Sequence, residues 1–414
     1  MRAASEVIMR PTPPLSSTTE RIRPPVFAEL QGRIDRLVAE GRVLVPLHIG
    51  DTCVMPPEAA RRAMTTLDGE DETLLRYGPT AGLLPLRRAL ATTLSRRGID
   101  VDATNDVLVG NGATHALYCA ARAVLDPGDE VLLASPYWPL APGIFTACGA
   151  INVEVPLTQR LYETPSLDVA DVFRSKITPR TKALYFISPN NPDGKVLARA
   201  HVDAILEVAK EYDLWIFADE VYADTVFDGT HVSMLDVPGA RDRTIVAHSL
   251  SKSHALSGCR VGFVVAPPPV IASARRVSTH TAFNVPVAMQ RVAEAALGDA
   301  GFAKAARDGY RRARDVAAKA LEGSGIRFFM PEGATYLFLD CRPVLGEGEG
   351  ARPLLGLLEH AVERGVILAP GDAFGQGFAS FARLCFTSVP EHELREGVSG
   401  LRRAIDTFAS QRTA

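Results

Sequence analysis

The sequence predicts an α/β fold, with a mostly parallel central sheet carrying helices on both faces and a smaller α+β domain beside it. Three observations lead there. Strand-sized runs that are apolar throughout recur between residue 60 and about 295; amphipathic helical stretches separate them; and beyond residue 295 the pattern changes to a long helix, spaced strands and a final helix. Strands that are apolar on both faces need layers on both sides, which a doubly wound sheet supplies.

Residues 1–25 begin with Arg2, Glu6 and Arg10 and run into Pro/Ser/Thr-rich 11–19, with no apolar signal region, so they read as a mobile tail of a cytoplasmic protein. Leu30, Ile34, Leu37 and Val38 stand at helical spacing within 26–40, ahead of the loop Ile49-Gly50-Asp51. Residues 26–59 are expected to complete the small domain. In the large domain, 60–295, strands are expected at 106–109, 130–134, 151–155, 183–187, 214–218, 244–247 and 261–265, with helices such as 114–124 and 201–211 between them. The small domain, 296–414, should hold a helix over 303–321, strands at 336–339, 366–368 and 384–386, and a helix over 391–408. There is no repeat of solenoid length, and 346–350 reads as a short surface loop.

Composition narrows the function. The 414 residues are 47% hydrophobic, 22% charged and 7% aromatic, enough for a large core. Lys and Arg number 45 against 48 Asp and Glu, for a net charge of -3, which leaves no basic surplus for nucleic acid. No apolar stretch approaches the roughly 20 residues of a membrane-spanning helix. The six cysteines lie far apart without a Cys-x-x-Cys or a nearby His pair, so buried free thiols are expected and no metal site.

Four segments could carry chemistry. Ser249-Leu250-Ser251-Lys252, with Gly258, Arg260 and Gly262 after it, follows a buried strand. A lysine there is either a surface charge or a desolvated amine made nucleophilic toward carbonyls. The two hydroxyls and Arg260 suit a phosphate. Asp219-Glu220-Val221-Tyr222 ends the run Leu214-Trp215-Ile216-Phe217-Ala218, where a carboxylate faces the crevice of an open α/β sheet or simply caps a helix. Gly110-Asn111-Gly112-Ala113-Thr114 joins a strand to a helix and could bring N–H groups to an anion, though most such turns only shape the chain. Ser188-Pro189-Asn190-Asn191-Pro192-Asp193-Gly194 closes another strand; turn chemistry accounts for its prolines and glycine but not for an amide at the strand end.

In this order the segments resemble the fold-type I pyridoxal-phosphate enzymes, specifically the class I/II aminotransferase family, from about Leu47 to the C-terminal helix. The resemblance implies the pyridoxal-phosphate-dependent transferase fold of type I and pyridoxal 5'-phosphate as cofactor. It implies that Lys252 is the Schiff-base lysine and proton shuttle, and that Asp219 pairs with the pyridinium nitrogen. Tyr222 and Asn191 match the pair on the ring O3′. Trp138, in Ser135-Pro136-Tyr137-Trp138, matches the aromatic stacked on the ring, with a core aromatic as the lesser alternative. Ala113, Thr114, Ser249, Ser251 and Arg260 match the phosphate cup. Tyr77 matches a tyrosine that reaches the neighbouring subunit's phosphate, which implies a homodimer with shared sites. Arg383, with the Gly50 backbone beside it, matches the arginine that forks onto the substrate α-carboxylate.

Three departures stand out. Cys259 occupies a place that commonly holds a large aromatic, Thr114 stands where some aspartate-selective relatives have lysine, and Gly50-Asp51-Thr52 lacks a following proline. The resemblance implies ping-pong transfer of an amino group between an α-amino acid and a 2-oxo acid. The lysine segment is also similar to that of aminocyclopropane-carboxylate synthases, so elimination or replacement at Cβ or Cγ is the rival. Transcription regulators that carry this domain need a DNA-binding module, which a Pro-rich tail of about 25 residues is too short to hold.

Overall fold

The computed structural model describes residues 13–24, 28–66, 72–346 and 351–410. In chain order, a short β1 (Val45–Pro46) precedes the seven strands of the central sheet: β2 (Val107–Asn111), β3 (Glu130–Ser135), β4 (Ile151–Pro156), β5 (Thr181–Ile187), β6 (Trp215–Asp219), β7 (Thr244–Ser249) and β8 (Val261–Val265). After them come β9 (Tyr336–Asp340), β10 (Val366–Ile367), β11 (Ala369–Pro370) and β12 (Phe381–Cys385). The central order is β2-β8-β7-β6-β5-β3-β4. All its pairings are parallel except those of β8, which runs antiparallel to both β2 and β7.

The apolar runs become strands because both their faces are covered. Leu132, Leu184, Ile216, Val246 and Val261 face one buried layer, and Leu133, Tyr185, Phe217, Ile245 and Val264 face the other. Each fully buried side chain of this size contributes about 1.5–3 kcal/mol. The helices Gly112–Val124 and Pro268–Thr281 pack together on the second layer, while Val287–Leu297 covers the first. The sheet thereby collects the carboxyl ends of its parallel strands along one edge, where open α/β sheets bind ligands. Because β8 is antiparallel, it starts at that same edge, and Arg260 enters it in the left-handed conformation at φ 53°.

Leu30, Val45 and Leu47 share an apolar cluster with Leu337, Leu384 and Leu401, joining the N-terminal segment to the C-terminal helices and strands. β1 pairs in parallel with β10, and β11-β12-β9 form an antiparallel sheet. The helices Phe302–Leu321, Leu354–Glu363 and Glu391–Ser410 pack around them. Among the described residues no helix is long and apolar enough to cross a membrane.

Four expectations change. The helix Ala28–Ala39 buries Leu30 and Leu37, but Val38 is 57% exposed, because the stripe facing the small domain is narrower than the run of apolar letters. The last strand is Phe381–Cys385 rather than 384–386, since its register is set by five pairings to β9. All six cysteines are free, yet Cys53 is exposed in the loop after Gly50, where its backbone N–H bonds Thr387 O at 2.8 Å. Part of the 1–25 segment is ordered: a short helix, Ser17–Glu20, lies beside the helix Ala141–Ala147, and Arg23 Nη1 donates to Asp372 O at 2.8 Å. The rest of that segment, residues 1–12 and 25, lies outside the described residues, as do residues 347–350 of the expected loop.

Candidate active site

A cleft of about 340 Å³ opens at the carboxyl edge of the sheet, under the loop at Gly50. Gly50, Ala113, Thr114, Trp138, Asn191, Asp219, Tyr222, Ser249, Ser251, Lys252, Arg260 and Arg383 all line it. Tyr77 does not. It is 85% exposed and packs against Phe283, with ring centroids 4.8 Å apart.

Each wall follows from its local sequence. β2 ends in the helix Gly112–Val124, whose first turn, with no side-chain cap, places Ala113 and Thr114 at the cleft. Gly112 sits at φ +77°, and a Cβ there would run into the Arg260 guanidinium, so the arginine lies directly against that turn. Gly112 N–H in turn bonds Arg260 O at 2.8 Å. Ser249 caps the single turn Leu250–Ser253, accepting from Ser251 N–H at 3.1 Å and donating to Ser251 Oγ at 2.9 Å. That turn presents Lys252, whose Nζ donates to Gly50 O, and Tyr310 Oη holds the Lys252 carbonyl at 3.1 Å.

Opposite the basic wall lies Asp219, 4% exposed at the end of β6. Burial lifts its carboxyl to about 7 from the ordinary 3.8, against the pull of hydrogen bonds from Val221 N–H and Tyr185 Oη. The next carboxylate, Glu220, turns away and accepts from Ser233 Oγ and Met234 N–H, with His231 Nε2 at 3.0 Å. The paired asparagines divide their work. Asn190 Nδ2 braces the loop through Pro136 O, Thr158 Oγ1 and Asp193 Oδ1, whereas Asn191 Oδ1 accepts from Arg383 Nη1 at 2.9 Å.

Arg383 is 7% exposed, and its Nη2 donates to His48 O at 2.8 Å, while its buried Nε finds no partner among the described residues. Its guanidinium lies over the Tyr336 ring, 4.3 Å from the centroid. Burial and the adjacent arginine hold His48 down at about 4, hence neutral near pH 7.

Sequence reasoning missed Tyr336 and Tyr185. Tyr336 Oη is 2.7 Å from Tyr222 Oη and rests against the Gly50 Cα. Tyr185 reaches Asp219 from the adjacent strand. Both sit in runs that read as core, and only strand parity relative to Asp219 hinted at Tyr185.

These residues suit a phosphorylated aromatic aldehyde: N–H groups, hydroxyls and Arg260 for the phosphate, an indole for the ring, a carboxylate deep in the cleft and an amine at the centre. The chain matches the family of aminotransferases of class I and II over residues 42–401. It is 36% identical to an arginine–pyruvate transaminase of Pseudomonas aeruginosa over 84% of this chain and 86% of that one. It is 31% identical to an aspartate/prephenate aminotransferase of Thermus thermophilus over 95% and 98%. The solved structure of Thermus thermophilus aspartate aminotransferase with maleate superposes with a TM-score of 0.84 at 30% identity, covering 95% of this chain and 100% of that chain. Relatives named as transaminases favour amino transfer over elimination or replacement. The chain therefore belongs to the class I and II aminotransferases, a family that depends in general on pyridoxal phosphate.

Proposed function

We propose that this cleft holds pyridoxal 5'-phosphate and uses it to move an amino group between an α-amino acid and a 2-oxo acid. The observation that carries the proposal is the convergence of Lys252, Asp219 and Arg383 in one cleft with the hydroxyl and N–H cup at Thr114, Ser249 and Ser251. When bound, pyridoxal phosphate supplies an aldehyde carbon for amines and a ring that accepts the electrons left by the departing Cα proton.

Lys252 Nζ would hold the group at that carbon and would carry the proton to and from the substrate Cα. Asp219 would keep positive charge on the ring nitrogen. Tyr222 Oη, the Asn191 amide and the Trp138 indole would hold the ring. Arg260, Ser249, Ser251 and the N–H groups of Ala113 and Thr114 hold the phosphate, with Tyr77 of a second copy completing the cup in a homodimer. Arg383 forks onto the α-carboxylate beside the Gly50 backbone, and its stacking on Tyr336 fixes the fork. Amino donor and oxo-acid acceptor use the site in turn, which gives ping-pong kinetics.

Lys252, Arg260 and Arg383 are the Lys and Arg side chains among the described residues that line this cleft, and each has a task. Among the described residues no further Lys or Arg of this chain lines the cleft to meet a side-chain carboxylate on the substrate. A donor without one fits better, and a panel of arginine, alanine and aspartate should show aspartate as the poorest. The main test is optical. The purified protein with pyridoxal phosphate should show a visible absorption band that amino acids discharge without any oxo acid, and Lys252→Ala should lack it. A band unchanged in Lys252→Ala would remove this lysine from its role.

A further inference from the structure

We propose that Tyr185 is a positioning residue for Asp219, holding its carboxylate ionised and aimed at the ring nitrogen of the cofactor. The inference rests on the reading that the cleft binds pyridoxal phosphate. β5 and β6 are parallel neighbours, with Tyr185 beside Phe217 and Ile187 beside Asp219. Tyr185 is thus a diagonal neighbour of Asp219 on the same sheet face, a span of about 7–8 Å between backbones that a tyrosine can bridge. Its Oη donates to Asp219 Oδ2 at 3.1 Å, while Oδ1 accepts from Val221 N–H at 3.3 Å, so both carboxylate oxygens are pinned.

Core packing does not require the hydroxyl. Tyr185 is fully buried, with its ring edge-on to Phe145 at 5.4 Å, a contact that phenylalanine would make as well. What the hydroxyl adds is a donor to a carboxylate that burial would otherwise neutralise. Burial and the adjacent carboxylate push the Tyr185 phenol well above its usual range, so it stays protonated and can only donate. The other ionisable groups around Asp219 do not take this place. Glu220 is engaged with His231, Ser233 and Met234, and His248 follows Ala247 on β7 and is held neutral by burial at about 4. Tyr222 pairs with Tyr336, and Lys252, Arg260 and Arg383 contact Gly50, Ser257 and Asn191.

The test compares wild type and Tyr185→Phe, both stripped of cofactor and titrated with pyridoxal phosphate from pH 6 to 9. Wild-type affinity should rise with pH as Asp219 ionises. A hydrogen bond to a charged group is worth about 10- to 100-fold. In Tyr185→Phe the rise should therefore move up by about one to two pH units, with affinity about 10- to 100-fold weaker near neutral pH and converging with wild type at high pH. Titration of the cofactor's own phosphate is common to both proteins and cancels. In the loaded enzyme, kcat should fall while KM for the amino acid stays within about threefold. A loss equal at every pH, or no loss, overturns the role. A wild type that binds no pyridoxal phosphate overturns the cofactor reading and this role with it. Should Tyr185→Phe fail to fold, 3-fluorotyrosine at this position, a stronger donor, should move the rise to lower pH; an unmoved rise refutes the proposal.

Discussion

Arg383 and Tyr336 together build one wall of the cleft. The guanidinium is oriented by Asn191 Oδ1, His48 O and the Tyr336 ring before any substrate arrives. Lysine cannot reproduce the fork, so Arg383→Lys should raise KM for the amino acid by about 10- to 100-fold, the worth of a charged hydrogen bond, with a smaller change in kcat. Tyr336→Phe keeps the stacked ring and removes only the bond to Tyr222, a neutral pair worth about 1 kcal/mol. Steady-state kinetics should show a drop in kcat of roughly fivefold with KM retained. Asp219 bears on stability with a definite sign. Its carboxyl rises from 3.8 to about 7 on folding, so the folded state binds the extra proton. That contribution is complete below about pH 4 and is lost as pH rises through 7. Melting curves of the cofactor-free protein should show Asp219→Asn gaining stability relative to wild type across that window. The neutral histidines, His48 and His248, act in the opposite sense as pH falls from 6.5 to 4, but they are present in both proteins and cancel in the comparison.

At the scale of elements, the turn from β2 into the helix Gly112–Val124 is the most constrained part of the cleft. Gly112 has φ +77°, and its missing Cβ makes room for Arg260. Gly112→Ala imposes about 1–2 kcal/mol of left-handed strain and also displaces the arginine. Pyridoxal-phosphate affinity, read by titration of the stripped protein, should fall by about tenfold or more. This turn was legible in the sequence as a Gly-rich strand-to-helix junction, and so were the strand-end positions of Asp219 and Asn191, because apolar runs of strand length mark their own ends. The reversal of β8 was not legible: Val261–Val265 is as apolar as the parallel strands of the sheet, and only the tight turns from Leu250 to Cys259 send it back.

For the whole molecule, Tyr77 is the one residue matched to the cofactor site that stands outside the cleft. Leu75 and Tyr77 are 90% and 85% exposed on one chain, an unfavourable way to leave large apolar side chains. If Tyr77 completes a partner's site, Lys252→Ala and Tyr77→Ala are each impaired alone. Mixed under conditions that exchange subunits, they should regain activity, since each hybrid has one site with both groups intact. Activity equal to the sum of the parents would argue against a shared site.

The sequence by itself determined the α/β class, the strands of the central sheet and most of the polar side chains that line the cleft, but not Tyr336 or the Tyr185 behind Asp219. It could do so because burial on both faces writes continuous apolar runs, and functional side chains sit where those runs stop. Only the tertiary structure decided which distant groups meet. Tyr185 joins Asp219 through the register of β5 on β6, and Tyr336 on β9 joins Arg383 on the paired strand β12 and Tyr222 beyond the end of β6. A buried tyrosine reads as core in any one-dimensional pattern. Its hydroxyl acquires a role only from the partner that folding brings within hydrogen-bond reach.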